Sequence, residues 1–108
     1  MSRSYVKTFL GPDILPYFED DDTVEIYTNK NSLWIDSFSQ GRLDTGIKID
    51  DQTIIGVITA VAGEVNVTIE NRLSANYEPL NCRFQGQFNK NITDHPSFTF
   101  RKRAKKLI

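Results

Sequence analysis

The chain has 108 residues, of which 39% are hydrophobic and 25% are charged, so its size and composition fit one globular domain. Its formal net charge of -1 excludes a strong overall attraction to nucleic acid or to an anionic membrane. One cysteine excludes an intramolecular disulfide, and we find neither an apolar run long enough for a membrane span nor a secretory signal. We therefore expect a cytoplasmic domain.

The first part of the chain predicts two short helices. Apolar residues at four-residue spacing favour a helix over residues 2–10, and Gly11-Pro12 breaks it. Pro12 suits the first turn of a second helix, which has an apolar face and ends in the acidic run of residues 19–22.

Three strands are predicted next, over residues 24–27, 33–38 and 42–49. Their alternating β-branched and aromatic residues favour extended structure, and Asn29-Lys30-Asn31 is typical of a hairpin turn. The third strand is interrupted by a glycine. A second turn is predicted at Ser39-Gln40-Gly41, before the third strand.

Residues 50–63 fit either a buried strand or a buried helix. We favour the helix, because its apolar residues recur at i, i+3, i+4 and i+7 and the segment is longer than most strands. Asp50 or Asp51 would be its N-cap, and Gly63 is predicted to stop it.

The last third of the chain predicts strands over residues 73–78, 82–88 and 97–103, with a loop at Asn71-Arg72 and another beginning at Asn89. In sum, the sequence predicts an α+β fold, a mostly antiparallel curved sheet of about six strands with two or three helices packed on one face.

The sequence contains no complete catalytic constellation. There is no G-x-x-x-x-G-K-[ST] loop, and a single histidine and a single cysteine exclude a zinc site of the usual kind. We interpret His95 as a surface loop residue and Cys82 as a buried core residue, and the acidic run lacks the ligand spacing of a calcium loop.

Two arginines on predicted strands merit attention. Arg83 and Arg101 fall on positions opposite the apolar side chains, and two guanidinium groups on rigid strands can bind phosphate oxygens. Residue spacing alone favours a simpler interpretation, in which both are solvated surface residues.

Three stretches nevertheless carry a resemblance to a known family. Residues 10–12 with 18–29, residues 60–66, and residues 82–87 with 96–102 occur in the order found at the start of conjugal-transfer ATPases of the TrbB-like kind. The chain therefore resembles the amino-terminal domain of type IV secretion ATPases, over nearly all of its length.

The resemblance implies an amino-terminal domain over residues 1–102 and the start of a linker over residues 103–108, leading to a P-loop domain. It further implies a hexameric ring with inner-membrane secretion partners and peripheral membrane attachment, and no direct nucleic-acid partner. ATP would lie between the two domains with its Mg²⁺ supplied by the P-loop domain, and Arg83 and Arg101 would contact its terminal phosphates. By itself this chain should not hydrolyse ATP.

Two alternatives remain open. The chain could be a stand-alone α+β module that binds a small ligand or a protein. It could also bind nucleic acid through the basic run of residues 101–106, although the neighbouring Phe98 and Phe100 are predicted to face away from Arg101.

Overall fold

The computed structural model of the chain describes residues 5–68, 72–88 and 95–103. Predictions that concern residues 2–4, Asn71, residues 89–94 and the linker after residue 103 lie outside the described residues. Those described contain two α-helices, a 3₁₀ turn and six strands: α1 (Tyr5–Glu19), β1 (Thr23–Asn29), β2 (Ser32–Ser37), β3 (Gly41–Lys48), α2 (Asp51–Val65), β4 (Arg72–Tyr77), the 3₁₀ turn (Glu78–Leu80), β5 (Cys82–Gln87) and β6 (Ser97–Lys102).

All six strands form one antiparallel sheet in the order β3-β2-β1-β6-β5-β4. The first three strands pair in chain order as a meander, and α2 then carries the chain to the opposite edge. After β4 and β5 pair, β6 enters the centre of the sheet between β5 and β1. The predicted α+β fold is therefore confirmed, and Arg72, which we predicted to lie in a loop, begins β4.

The two helices pack on one face of the sheet, where the apolar core lies. Alternate residues of the strands point into this core because side chains of a strand alternate between its two faces. The buried apolar residues are Val6, Leu10, Ile14, Phe18, Ile26, Leu33, Ile35, Ile49, Ile54, Val57, Ile58, Val61, Ala62, Leu73, Tyr77, Cys82, Phe84, Phe98 and Phe100. We call the other side of the sheet the open face.

None of the described helices is long and apolar enough to span a membrane.

The two helices predicted at the start of the chain are present in α1 as two helical segments, which Gly11 separates at a kink. Gly11 has φ 77° and ψ 176° at the kink, a conformation that glycine adopts without the steric penalty of a side chain. Pro12 follows and has no N–H to continue the hydrogen-bond ladder. Both halves still bury apolar residues, because the kink lets α1 follow the core.

Helix α2 begins as predicted but ends later. The Asp50 carboxylate accepts a hydrogen bond from the backbone N–H of Thr53 at 2.8 Å, which identifies Asp50 as the N-cap. The prediction that Gly63 stops the helix was wrong, since α2 continues to Val65. Asn66 ends it in the left-handed conformation (φ 60°, ψ 49°), which asparagine tolerates, and its N–H bonds back to Gly63.

The N-cap of α2 gives a testable pH dependence. Hydrogen bonds from the Thr53 side chain and backbone hold the pKa of Asp50 below its usual value. The stabilisation is therefore complete above the unfolded pKa of about 3.9 and is lost as the pH falls through the folded pKa. We expect Asp50→Ala to lower the melting temperature at pH 7, with a smaller difference from the parent chain at pH 3, measured by circular dichroism. An unchanged difference at the two pH values would show that the charge of the cap is irrelevant.

Candidate anion-binding face

The open face carries one continuous row of polar side chains across all six strands. Strand register determines this row, because residues that pair directly across antiparallel strands project from the same face. From β3 to β4 the row consists of Arg42, Asp36, Glu25, Arg101, Arg83 and Asn76. The row thus has an acidic centre on β2 and β1 and a basic pair on β6 and β5.

Arg83 and Arg101 are direct partners in the register of β5 with β6, and both side chains are exposed. The Arg83 guanidinium donates to Oδ1 of Asn76 at 3.3 Å and to Oγ of Ser74 at 3.2 Å. Within the described ranges, no ion pair joins either arginine to a carboxylate, although Glu25 lies directly across from Arg101 on β1.

The juxtaposition of these two arginines has an electrostatic cost. Like charges directly opposite one another in a sheet repel, with Cβ atoms about 5 Å apart. An oxyanion between the two guanidinium groups would replace this repulsion by charge-assisted hydrogen bonds. The pair is therefore a candidate anion-binding site. That the two arginines contact the terminal phosphates of ATP stays a prediction.

Polar groups surround the arginine pair on the β4 side. A shallow concavity of about 340 Å³ lies over β4, β5 and β6, and its lining includes Arg72, Ser74, Gln85 and Thr99. These side chains offer hydrogen-bond donors and one more cation. This half of the open face therefore suits a polar, negatively charged group.

The other half of the open face has a different character. The Arg42 guanidinium carbon lies 5.9 Å from the centre of the Tyr27 ring, and its Nε is 3.9 Å from Oδ1 of Asp36. Burial raises the pKa of the Tyr27 phenol, so it is neutral at pH 7. Because Arg42 has these two partners, it is less available to an external anion than Arg83 or Arg101.

The described part of the basic run, residues 101–103, does not form one cationic surface. Arg103 pairs with Glu78, with Nη2 at 2.8 Å from Oε1, and the Lys102 ammonium donates to the backbone carbonyl of Asp20 at 2.7 Å. Phe98 and Phe100 are buried, as predicted. Neither aromatic ring is therefore available on the surface to stack with a base.

His95 and Cys82 lie in the environments that the sequence predicted for them. His95 is exposed, and its Nδ1 lies 3.7 Å from Oδ1 of Asp51. Cys82 is buried, and burial raises the pKa of its thiol to about 11, so it is not a nucleophile at neutral pH. No cluster of three metal-ligating side chains occurs in the part of the chain that the structure describes.

Sequence reasoning found the two arginines but missed their neighbours. Ser74, Asn76 and Glu25 enter the site only through strand order, since β4 and β1 flank the β5-β6 pair. Their alternating positions place them on a polar face. No pattern in the sequence shows that β6 lies between strands that are distant in the chain.

Among the comparisons with known proteins, the comparison with solved structures agrees with this fold. No family model matches the chain, and no curated protein matches it. Among solved structures, it is similar to the VirB11 ATPase from the Brucella suis type IV secretion system, solved in complex with sulphate. The TM-score is 0.80 at 23% identity, and the match covers 94% of this chain but 31% of that one. The chain thus spans about a third of that ATPase's length and has the fold of a VirB11-like domain.

Proposed function

We propose that this chain is the amino-terminal type of domain of a VirB11-like secretion ATPase. In this role, Arg83 and Arg101 contact the terminal phosphates of an ATP whose Mg²⁺ and phosphates are held chiefly by a P-loop domain. The fold supports the proposal at the level of a domain related to type IV secretion ATPases.

The observation that carries the proposal is the direct pairing of two exposed arginines that have no described carboxylate partner. A triphosphate supplies the missing negative charge, and its loss on hydrolysis would release one domain from the other. Two strands fix the backbone of both arginines, and the hydrogen bonds to Asn76 and Ser74 orient the Arg83 guanidinium, which reduces the entropy lost on binding.

The wider context of this role is also part of the proposal. The partners would be the P-loop domain and five further copies in a hexameric ring, which lies in the cytoplasm at the inner membrane. Reading the coding sequence beyond Ile108 tests whether a P-loop domain follows. A G-x-x-x-x-G-K-[ST] loop downstream supports the ATPase, whereas a stop codon supports a stand-alone binding module.

The anion site itself can be tested on the purified chain. We expect tripolyphosphate to shift the NMR signals of the Arg83 and Arg101 Nε–H groups, with a dissociation constant in the millimolar range. Arg83→Gln and Arg101→Gln should each weaken binding by about 5-fold, since an exposed charge-assisted contact contributes about 1 kcal/mol.

The matched control is Arg42→Gln, which removes the same charge from the same face. Arg42 already contacts Asp36 and Tyr27, and salt screens its charge from an anion bound at Arg83 and Arg101. We therefore expect its loss to weaken binding less than about 2-fold. If all three variants lose affinity equally, the anion is attracted by net charge and is not bound by the Arg83–Arg101 pair.

A further inference from the structure

The paired arginines of the open face lie between two unlike neighbours. On one side, Glu25 on β1 lies directly across from Arg101, and Asp36 on β2 continues the row beyond it. On the other side, the neutral Asn76 on β4 accepts a hydrogen bond from the Arg83 guanidinium at 3.3 Å. The carboxylates repel an anion that has several phosphates, so the phosphates beyond the arginine pair extend toward β4.

The concavity over β4, β5 and β6 lies on this favourable side and has a volume of about 340 Å³. Among the described residues that line it, none is acidic and one, Arg72, is cationic. The hydroxyl groups of Ser74 and Thr99 and the amide of Gln85 add neutral hydrogen-bond donors. The concavity therefore offers a cation and several donors to an anion that extends from the arginine pair.

Ser74 connects the arginine pair to the concavity. Its Oγ accepts a hydrogen bond from Nη2 of Arg83 at 3.2 Å, and the same side chain lines the concavity. A hydroxyl group that accepts one hydrogen bond still has its own proton to donate. The Arg83 guanidinium thus borders the concavity, and the Ser74 hydroxyl can donate to a phosphate oxygen beside it.

Arg72 lies at the far end of this path. Asn76, Ser74 and Arg72 project from the same face of β4, and successive members are about 7 Å apart along the strand because two residues separate them. The Arg72 side chain is exposed, and no carboxylate in the described ranges forms an ion pair with it. Its guanidinium is therefore available to a phosphate that follows the one bound by Arg83.

We propose that Arg72 is a third phosphate-binding arginine, which makes this half of the open face a site for a chain of phosphates and not for a single phosphate. The terminal phosphate lies on Arg83 and Arg101, and the next phosphates follow β4 past Ser74 to Arg72. This assignment rests on the proposed function. It adds the direction of the triphosphate and a residue outside the three stretches that carry the family resemblance.

The length of the anion tests the role of Arg72 on the purified chain, with orthophosphate and tripolyphosphate as probes. Arg72→Gln should weaken tripolyphosphate binding by about 4-fold and orthophosphate binding by less than about 1.5-fold, because only the longer anion reaches position 72. The NMR signal of the Arg72 Nε–H should shift with tripolyphosphate and stay in place with orthophosphate. Arg72→Lys keeps the positive charge and should lose less affinity than Arg72→Gln.

Arg42→Gln is the matched control for charge. Tripolyphosphate carries more charge than orthophosphate, so it responds more to the loss of any cation on this face. The control measures how much of the length dependence comes from net charge, and we expect this part to be less than about 2-fold. A length dependence in Arg42→Gln equal to that in Arg72→Gln overturns the proposal.

The arginine pair and the path to Arg72 can fail separately. If Arg83→Gln and Arg101→Gln weaken both anions but Arg72→Gln shows no length dependence, the pair binds phosphate and the path is wrong. If Arg83→Gln and Arg101→Gln weaken neither anion, the proposed function is wrong and the path with it. Short oligothymidylate tests another source of linked phosphates, and tighter binding of it than of tripolyphosphate would assign the face to nucleic acid and overturn the proposal.

Discussion

Phe100→Ala is expected to reduce the free energy of unfolding by about 3–5 kcal/mol. Phe100 is fully buried in the middle of β6, and its ring centre lies 4.8 Å from that of Phe84 and 5.0 Å from that of Phe18. Phe98 and Tyr77 complete the aromatic cluster at 5.4 and 6.4 Å. The substitution removes buried apolar area and leaves a cavity that rings held by the sheet fill only in part.

Urea denaturation followed by circular dichroism measures this effect. A chain of this size has a stability of about 5–15 kcal/mol, so this loss is a large fraction of the total and the variant should unfold at a clearly lower urea concentration than the parent chain. The matched control is Phe38→Ala, which removes the same side chain from a turn where it is 79% exposed and should cost less than about 0.5 kcal/mol. Similar losses in the two variants would show that the aromatic cluster does not stabilise the fold as described.

Gly86→Ala is expected to destabilise the chain by about 1–3 kcal/mol through overpacking. A Cβ atom at position 86 would lie 2.8 Å from Cγ1 of Ile58 and 2.9 Å from Cε2 of Phe84. Both side chains are fully buried, so neither can move aside without disturbing its neighbours. Gly86 thus allows α2 to approach β5 closely.

Two further variants make this result diagnostic. Gly63→Ala changes a glycine of α2 that has open space around it, so it should instead raise stability by about 0.5–1 kcal/mol through helix propensity. Combining Gly86→Ala with Ile58→Ala should cost less than the sum of the single changes, because the smaller side chain relieves the clash. Additive effects in the double variant would contradict the close approach of residues 58 and 86.

Much of the fold could be predicted because its signals are local. Alternation in β2, β5 and β6 identifies the core-facing residues, and Gly11-Pro12 identifies the kink of α1. The periodicity of α2 separates it from a strand. Its end was misplaced because Asn66, whose N–H bonds back to the carbonyl of Gly63, competes with the glycine as the stop signal.

The end of α2 also depends on tertiary contacts. Glu64 accepts a hydrogen bond from the buried Tyr77 hydroxyl at 2.5 Å and one from the backbone N–H of Val6 at 3.3 Å. These bonds link the last turn of α2 to β4 and to the start of α1. A helix that ended at Gly63 would lose this link, and local sequence carries no sign of it.

The sequence alone determined which side chains are apolar, which segments form strands and helices, and that Arg83 and Arg101 lie on polar strand positions. These features follow from alternation, periodicity and turn residues, which act over a few residues. Strand order was decided only in the tertiary structure, because the position of β6 between β5 and β1 depends on burying Phe98 and Phe100 beneath both helices. That long-range packing places the two arginines side by side, and it leaves β4 at an edge.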